Sequence, residues 1–198
     1  MSWKYLKIIF KRELKSFFTS PIAYIVITLY LVVTGWFFFS TFFLAGRADM
    51  RDFFSLLPFI LSFTVPAVTM RLFAEEYRSG SYEILATLPV RETEILLGKY
   101  FAALAFVGIM ILPTLTYPVF ISFTGELDWG PVAGGYIGAL LLAAGFSAIG
   151  LFASSLTKNQ VIAFVISVAI CFFLTIADNF LILLPTFLQV PFQYISAQ

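Results

Sequence analysis

The 198-residue sequence contains no histidine and a single cysteine, Cys171. The absence of histidine excludes Ser-His nucleophilic sites, HExxH metal sites and bis-histidine haem sites. A single cysteine excludes an internal disulfide and a thiolate cluster, and its place in an apolar run says nothing about the compartment. A P-loop is also missing, because Gly98-Lys99 has Thr93 where the motif needs glycine and Tyr100 where it needs Ser or Thr. We therefore expect no catalytic, metal or cofactor site in this chain.

Charge is scarce as well: 12% of the residues are charged and 61% are hydrophobic. A soluble domain carries about 25% charged residues, so the composition indicates an integral membrane protein. Between residues 100 and 177 the charged residues are Glu126, Asp128 and Lys158, all at the ends of uncharged runs. A secondary carrier driven by an ion gradient usually needs ionisable groups at mid-membrane depth, and that class is disfavoured. If the chain moves a substrate uphill, another chain supplies the energy. The net charge of +1 gives no indication of nucleic-acid binding.

Five uncharged runs approach or exceed the roughly 20 apolar residues that a membrane-spanning helix needs: 21–45, 53–70, 100–125, 129–157 and 159–177. None alternates like the ten-residue strands of a membrane barrel, so the sequence predicts an all-α polytopic bundle. A sixth run, 179–198, contains Pro185 and Pro191, which interrupt a single helix. We expect residues 178–198 to form short helices or a re-entrant segment on the outer side.

The distribution of Lys and Arg predicts the orientation. With the N-terminus inside, ten of the 12 basic residues are cytoplasmic and only Arg47 and Arg51 are outside. The positive-inside rule therefore favours a cytoplasmic N-terminus. Small residues recur along the fourth run, and they are expected to pack against other helices of the same subunit in preference to forming a dimer seam: Gly134, Gly138, Ala139, Ala143 and Ser147.

Residues 4–18 are predicted to form an amphipathic helix that lies on the membrane. One face carries lysines at three- and four-residue spacing, and another carries apolar residues: Lys4, Lys7, Lys11 and Lys15; Leu6, Phe10, Leu14 and Phe17. A basic stripe beside an aromatic one suits an anionic inner leaflet. The alternative is that these lysines only orient the first span, which Ser20-Pro21 begins.

The most informative feature is a polar insert, residues 71–99, which holds nine of the charged residues. Gly80 is expected to end a helix that continues from the second span, and Pro89 to end a short helix over 82–88. Glu92 and Glu94 fall in the first turn of the next helix, where the helix dipole favours them. A two-turn helix is not stable alone, so it needs a docking surface, which a soluble partner could supply. The alternative is a solvated loop that merely joins two spans.

The insert resembles the cytoplasmic loop of type-2 ABC (ABC-2) transporter permeases in the following residues: Glu75, Glu76, Gly80, Glu83, Leu85, Pro89 and Gly98-Lys99. The basic N-terminal helix is similar to the connecting helix of that family. The end of the second span, residues 66–72, is most similar to gliding-motility-type permease subunits. The resemblance implies residues 1–20 as an interfacial helix and 21–198 as a transmembrane domain. The family typically has six spans, so we expect a sixth span to follow residue 198; the alternative is that the last helix comes from elsewhere.

By that resemblance, the helix over 82–88 is a coupling helix that sits in a separate ATPase subunit, which binds ATP-Mg. Export would run between two permeases, either two copies or a copy and a paralogue, in the inner membrane of a bacterium, with an auxiliary membrane subunit as a further partner. The alternative is a scaffold or assembly subunit of a gliding or secretion complex with no transport path of its own. The expected ATPase-coupling residues are Glu75, Glu76, Gly80, Tyr82, Glu83, Leu85, Leu88 and Pro89.

Overall fold

A computed structural model describes residues 3–45, 50–87, 90–125 and 127–181. Within these ranges the chain is helical and contains no strand, which confirms the predicted all-α class. The helices in chain order are α1 (Trp3–Thr19), α2 (Pro21–Ala45), α3 (Arg51–Thr69), α4 (Arg71–Ser79), α5 (Ser81–Ala86), α6 (Glu92–Ile111), α7 (Thr116–Thr124), α8 (Trp129–Ser155) and α9 (Gln160–Leu181). A 3-10 turn over Leu112–Leu115 joins α6 to α7.

Among the described residues, five helical segments are long and apolar enough to cross a membrane, as the sequence predicts. They are α2, α3 continued by α4, α6 continued by α7, α8 and α9. Helix α9 extends beyond the predicted limit at residue 177 to Leu181. Residues 182–198, on which the predicted re-entrant segment mainly rests, lie outside the described residues, so that prediction stays open.

The helix ends follow local chemistry. Pro21 occupies the first position of α2, where its missing N–H costs nothing. Asp128 caps the start of α8, because its Oδ1 accepts a hydrogen bond from the Gly130 N–H at 3.0 Å. Helix α3 contains Pro58 and Pro66, and only Met70 separates its end from the start of α4, so the second span runs into the polar insert as predicted.

Helix α1 lies along α6 and is not among the segments suited to crossing the membrane. Leu6, Ile9 and Phe17 are buried within the chain. A Cβ added at Gly98 of α6 would lie 2.7 Å from Ile9 Cγ2, so the two helices are in close contact. Leu6 and Phe17 of the predicted apolar stripe are therefore buried within the chain, and the location of α1 on the membrane surface stays a prediction.

The small residues of α8 divide into two groups. Ala139, Ala143 and Ser147 are buried, which confirms their packing within the subunit. Gly134 and Gly138 are exposed, and a Cβ added at either would meet no atom within 4 Å. The prediction of packing within the subunit is wrong for these two glycines, because they occupy a different face of α8.

The buried apolar residues form two clusters. One lies among α2, α3, α6 and α8 and includes Tyr30, Leu61 and Phe146. The other lies where α1, α4, α5 and α6 meet, and it includes Phe17, Phe73, Leu85, Ile95 and Phe106. The second cluster supports the polar insert, so the insert is part of the folded bundle and not a loose loop.

Candidate functional site

The insert folds as an arm made of α4, Gly80 and α5 (residues 71–86). Gly80 has a φ of +73°, the left-handed conformation that only glycine adopts without strain, and it ends α4 as the sequence predicts. Helix α5 covers Ser81–Ala86 instead of residues 82–88. Leu88 and Pro89, two of the expected coupling residues, lie outside the described residues.

The apolar face of α5 is covered by the chain itself. Leu85 is only 6% exposed and belongs to the same cluster as Phe73. The Tyr82 ring lies 4.8 Å from the ring of Tyr77, edge to face, and 6.4 Å from that of Phe73. Three aromatic side chains on α4 and α5 already provide apolar surface for the short helix, and the insertion of Leu85 into a partner stays a prediction.

The opposite side of the arm is polar and exposed. Arg78, Ser79 and Gly80 are exposed where the chain turns, and Ser81 and Glu83 are exposed on α5. We call these residues, 78–83 without the half-buried Tyr82, the arm tip. Its surface is short, charged at both ends and free of large apolar side chains. It can form hydrogen bonds and ion pairs with a partner, but it has no large apolar side chain to insert into one.

The base of the arm is fixed by a cluster of four charged side chains that we call the charge node: Arg12, Glu13, Glu76 and Lys99. Lys99 is fully buried. Its Nζ lies 2.9 Å from Glu76 Oε1 and 3.2 Å from Glu13 Oε1, and it donates a hydrogen bond to the Leu72 carbonyl at 2.8 Å. Two hydrogen bonds, to Glu13 and to the Leu72 carbonyl, and an ion pair with Glu76 therefore compensate the buried ammonium group.

Arg12 makes the second cation of the node. Its Nη2 donates to Glu13 Oε1 at 2.6 Å and to Glu76 Oε1 at 2.9 Å, so each cation contacts both carboxylates. Partial burial lowers the pKa of Arg12, but the hydrogen bonds and charges of Glu13 and Glu76 outweigh it and raise that pKa above its usual value. The node thus holds two positive and two negative charges and connects α1, α4 and α6.

Replacement of any one member of the charge node should destabilise the fold. A buried ion pair contributes little relative to an apolar pair, but loss of one partner leaves an uncompensated charge and costs about 3–5 kcal/mol. Glu76 Oε2 is buried and has no hydrogen-bond partner among the described residues, so the node already contains one unsatisfied atom. The arrangement favours a fixed geometry of α4 against α1 and α6.

Beside the node, a cleft of about 550 Å³ separates α1 from α4. The Arg71 guanidinium closes part of it by stacking over the Phe17 ring, with Cζ 4.6 Å from the ring centroid. This cation–π contact adds a further connection between α1 and the first turn of α4. Glu75, one turn along α4, is exposed and lines the same cleft.

The other predicted surface lies on α1. Its four lysines, Lys4, Lys7, Lys11 and Lys15, are all exposed, while the face on the other side of the helix packs on α6. Their role toward lipid stays a prediction. Within the described residues, no group of three or more His, Cys, Asp or Glu side chains is placed to hold a metal ion.

Sequence reasoning missed Glu13 and Lys99 as partners of Glu76. A signal for Glu13 existed: it recurs with Leu6 and Phe17 at helical spacing on the buried face of α1, where an isolated carboxylate needs a cation. The adjacent Arg12 and Glu13 meet Glu76 and Lys99 from distant parts of the sequence, so this pairing could not be predicted from spacing alone.

A model of the family described as ABC-2 family transporter protein matches residues 9–197, which is nearly the whole chain. The chain therefore belongs to this family and is a multi-pass permease subunit of an ABC transporter. Membership of the family implies an ABC ATPase as its partner. No curated protein and no solved structure matches it.

Proposed function

We propose that this chain couples ATP hydrolysis by a separate ATPase subunit to export through the interface of two permease subunits. The arm tip would be the surface that contacts the ATPase. The observation that carries the proposal is the charge node at the base of the arm. Because one ion pair connects α4 to α1, a second connects α4 to α6 and a third connects α1 to α6, a displacement of the exposed tip would move helices of the bundle instead of bending α4 alone.

The proposed contact is polar. Leu85 is buried within the chain, whereas Arg78 and Glu83 are exposed. These two are the charged side chains of the tip that a partner can reach. Charged contacts at the rim of an interface mainly set orientation and association rate, and they weaken with salt. We therefore expect the ATPase to bind through complementary charges, with Glu75 near the edge of the contact.

The arm and the N-terminus would both lie in the cytoplasm of a bacterium, with the chain in the inner membrane. The excess of Lys and Arg on that side supports this orientation. The assignment to the gliding-motility type rests on residues 66–72 and is part of the same proposal, as are the second permease, an auxiliary membrane subunit and the contact of α1 with lipid.

The experiment begins with the tagged wild-type chain in mild detergent and the ATPase that co-purifies with it. Capture of that ATPase is then compared for Arg78→Glu and Glu83→Lys on the tip and for Lys158→Glu, an exposed charge reversal outside the arm. We expect each tip variant to weaken capture about tenfold, which corresponds to about 1.4 kcal/mol. Lys158→Glu should bind like the wild type.

Equal capture by all the variants would contradict the docking surface. Capture with ATP turnover that is the same for the free ATPase and for the complex in lipid would instead support the alternative, a membrane scaffold without a transport path. The two outcomes are read from different measurements on the same samples.

A further inference from the structure

Ser154, near the end of α8, is bonded to the junction between α3 and α4. Its Oγ accepts hydrogen bonds from the backbone N–H groups of Phe73 and Ala74, both at 3.0 Å, and donates to the Met70 carbonyl at 2.8 Å. The residue is fully buried. A hydroxyl has one donor and two acceptor positions, so all three are used on this single segment of backbone.

These bonds replace a missing cap. The first N–H groups of a helix have no partner within it, and a serine or aspartate just before the helix normally accepts from them. Here that position is Met70, which makes no side-chain cap. The cap of α4 is therefore supplied by a different helix, from a residue 81 positions from Phe73 in the chain.

A second contact lies one turn earlier on α8. A Cβ added at Gly150 would lie 1.9 Å from Thr69 Oγ1, so the backbone of α8 touches the last residue of α3. Gly150 thus contacts Thr69, and Ser154 contacts Met70, Phe73 and Ala74. Helix α8 therefore packs directly against the junction between the second span and the arm.

The opposite side of the same turn is bonded to α6, because Lys99 Nζ donates to the Leu72 carbonyl at 2.8 Å. The first turn of α4 is therefore bonded through its N–H groups to α8 and through a carbonyl to α6. A movement of the arm has to carry α8 along or break the Ser154 bonds.

We propose that Ser154 is a positioning residue that makes α8 follow the arm, so that the nucleotide state of the ATPase reaches this membrane helix. The inference rests on the proposed function, since it needs an ATPase on the arm. The bonds of Ser154 transmit the movement; they are not part of the docking surface.

The test compares Ser154→Ala with Ser155→Ala, whose hydroxyl donates only to the Phe152 carbonyl of its own helix at 2.7 Å. Ser154→Thr retains the hydroxyl and serves as the conservative variant. Each is made with Cys171→Ala and carries spin labels at the exposed positions Val32 of α2 and Ile137 of α8. Label distances are measured in lipid nanodiscs with the co-purified ATPase, without nucleotide and with ATP-Mg.

We expect the wild type, Ser155→Ala and Ser154→Thr to show an ATP-dependent shift in the distance between α2 and α8. Ser154→Ala should capture the ATPase and turn over ATP like the wild type but lose at least half of the shift. A full shift in Ser154→Ala, or a shift lost equally in Ser154→Ala and Ser155→Ala, overturns the role of Ser154 and leaves the proposed function standing.

A wild-type complex that shows no shift, or a wild-type chain that captures no ATPase, overturns the proposed function and this inference together. If Ser154→Ala yields no folded chain, the comparison of Ser154→Thr with the wild type decides: a shift retained in Ser154→Thr supports the role, and a lost shift with normal ATPase capture contradicts it.

Discussion

Lys99 Nζ lies 2.9 Å from Glu76 Oε1, and this contact joins a fully buried cation on α6 to the base of the arm on α4. A buried lysine is rare unless its charge is compensated. Here Glu76 shares its oxygen between Lys99 and Arg12, so the arm is connected at one atom to two other helices.

Replacement of Lys99 by Met should destabilise the chain strongly. It keeps the volume of the side chain but leaves Glu13 and Glu76 with Arg12 as their only cation in the node, at a cost of about 3–5 kcal/mol. The midpoint of thermal unfolding in detergent, followed by tryptophan fluorescence, measures the effect. The exposed Lys15→Met is the control, and equal midpoints for both variants would show that the node is not needed for stability.

Gly150→Ala should also destabilise the chain, because the new Cβ would lie 1.9 Å from Thr69 Oγ1. Overpacking of this kind typically costs about 1–3 kcal/mol. Gly138→Ala is a matched control, since a Cβ there meets no atom within 4 Å. The same unfolding assay should separate the two alanines, and a Gly150→Ala chain as stable as Gly138→Ala would argue against close contact between α8 and α3.

Leu85→Asp distinguishes burial within the chain from burial in a partner. Because Leu85 is 6% exposed in the chain alone, a carboxylate there should loosen α5 without any ATPase present, at a cost of a few kcal/mol. Hydrogen exchange over residues 81–86 in the purified permease should become faster. Glu83→Ala, on the exposed side of α5, should leave it unchanged; protection of the helix in Leu85→Asp would return Leu85 to the docking surface.

The lysines of α1 should bind anionic lipid. Changing Lys4, Lys7, Lys11 and Lys15 to Glu removes about 1 kcal/mol of attraction per residue at an anionic surface and adds repulsion. We expect reduced insertion or assembly in membranes rich in anionic lipid and little change in neutral nanodiscs. Normal levels and activity of the variant in both would indicate that these lysines have no role beyond orienting the chain.

Topology is tested by labelling single cysteines in a Cys171→Ala background. A reagent that cannot cross the membrane should label Asp128→Cys from outside intact cells and should reach Ser79→Cys only after lysis; both positions are exposed. The positive-inside asymmetry is the physical reason. Labelling of position 79 in intact cells would reverse the orientation. Ser196→Cys, expected to be external, extends the test to residues outside those described.

The sequence was sufficient for features that depend on local chemistry. The length and apolarity of the runs predicted the five spans, and the backbone freedom of glycine predicted the end of α4 at Gly80. The surface that covers Leu85 could not be predicted, because an apolar face can be covered by the same chain or by a partner. In the structure Leu85 is buried in the cluster that also contains Phe73, with Tyr77 packed against it. The charge node and the Ser154 cap could not be predicted, because they are contacts between residues that are distant in the sequence.

The charge node also constrains the order in which contacts can form while the chain is being synthesised. Arg12 and Glu13 leave the ribosome long before Glu76 and Lys99, so the first helix to be synthesised cannot reach its final contacts until the sixth has emerged. During that interval α1 lacks the contacts that Glu76 and Lys99 later supply, and its four lysines are exposed. The helix at the start of the sequence therefore completes its ion pairs only after most of α6 has been made, and a chain truncated before residue 99 lacks the cation that completes the node.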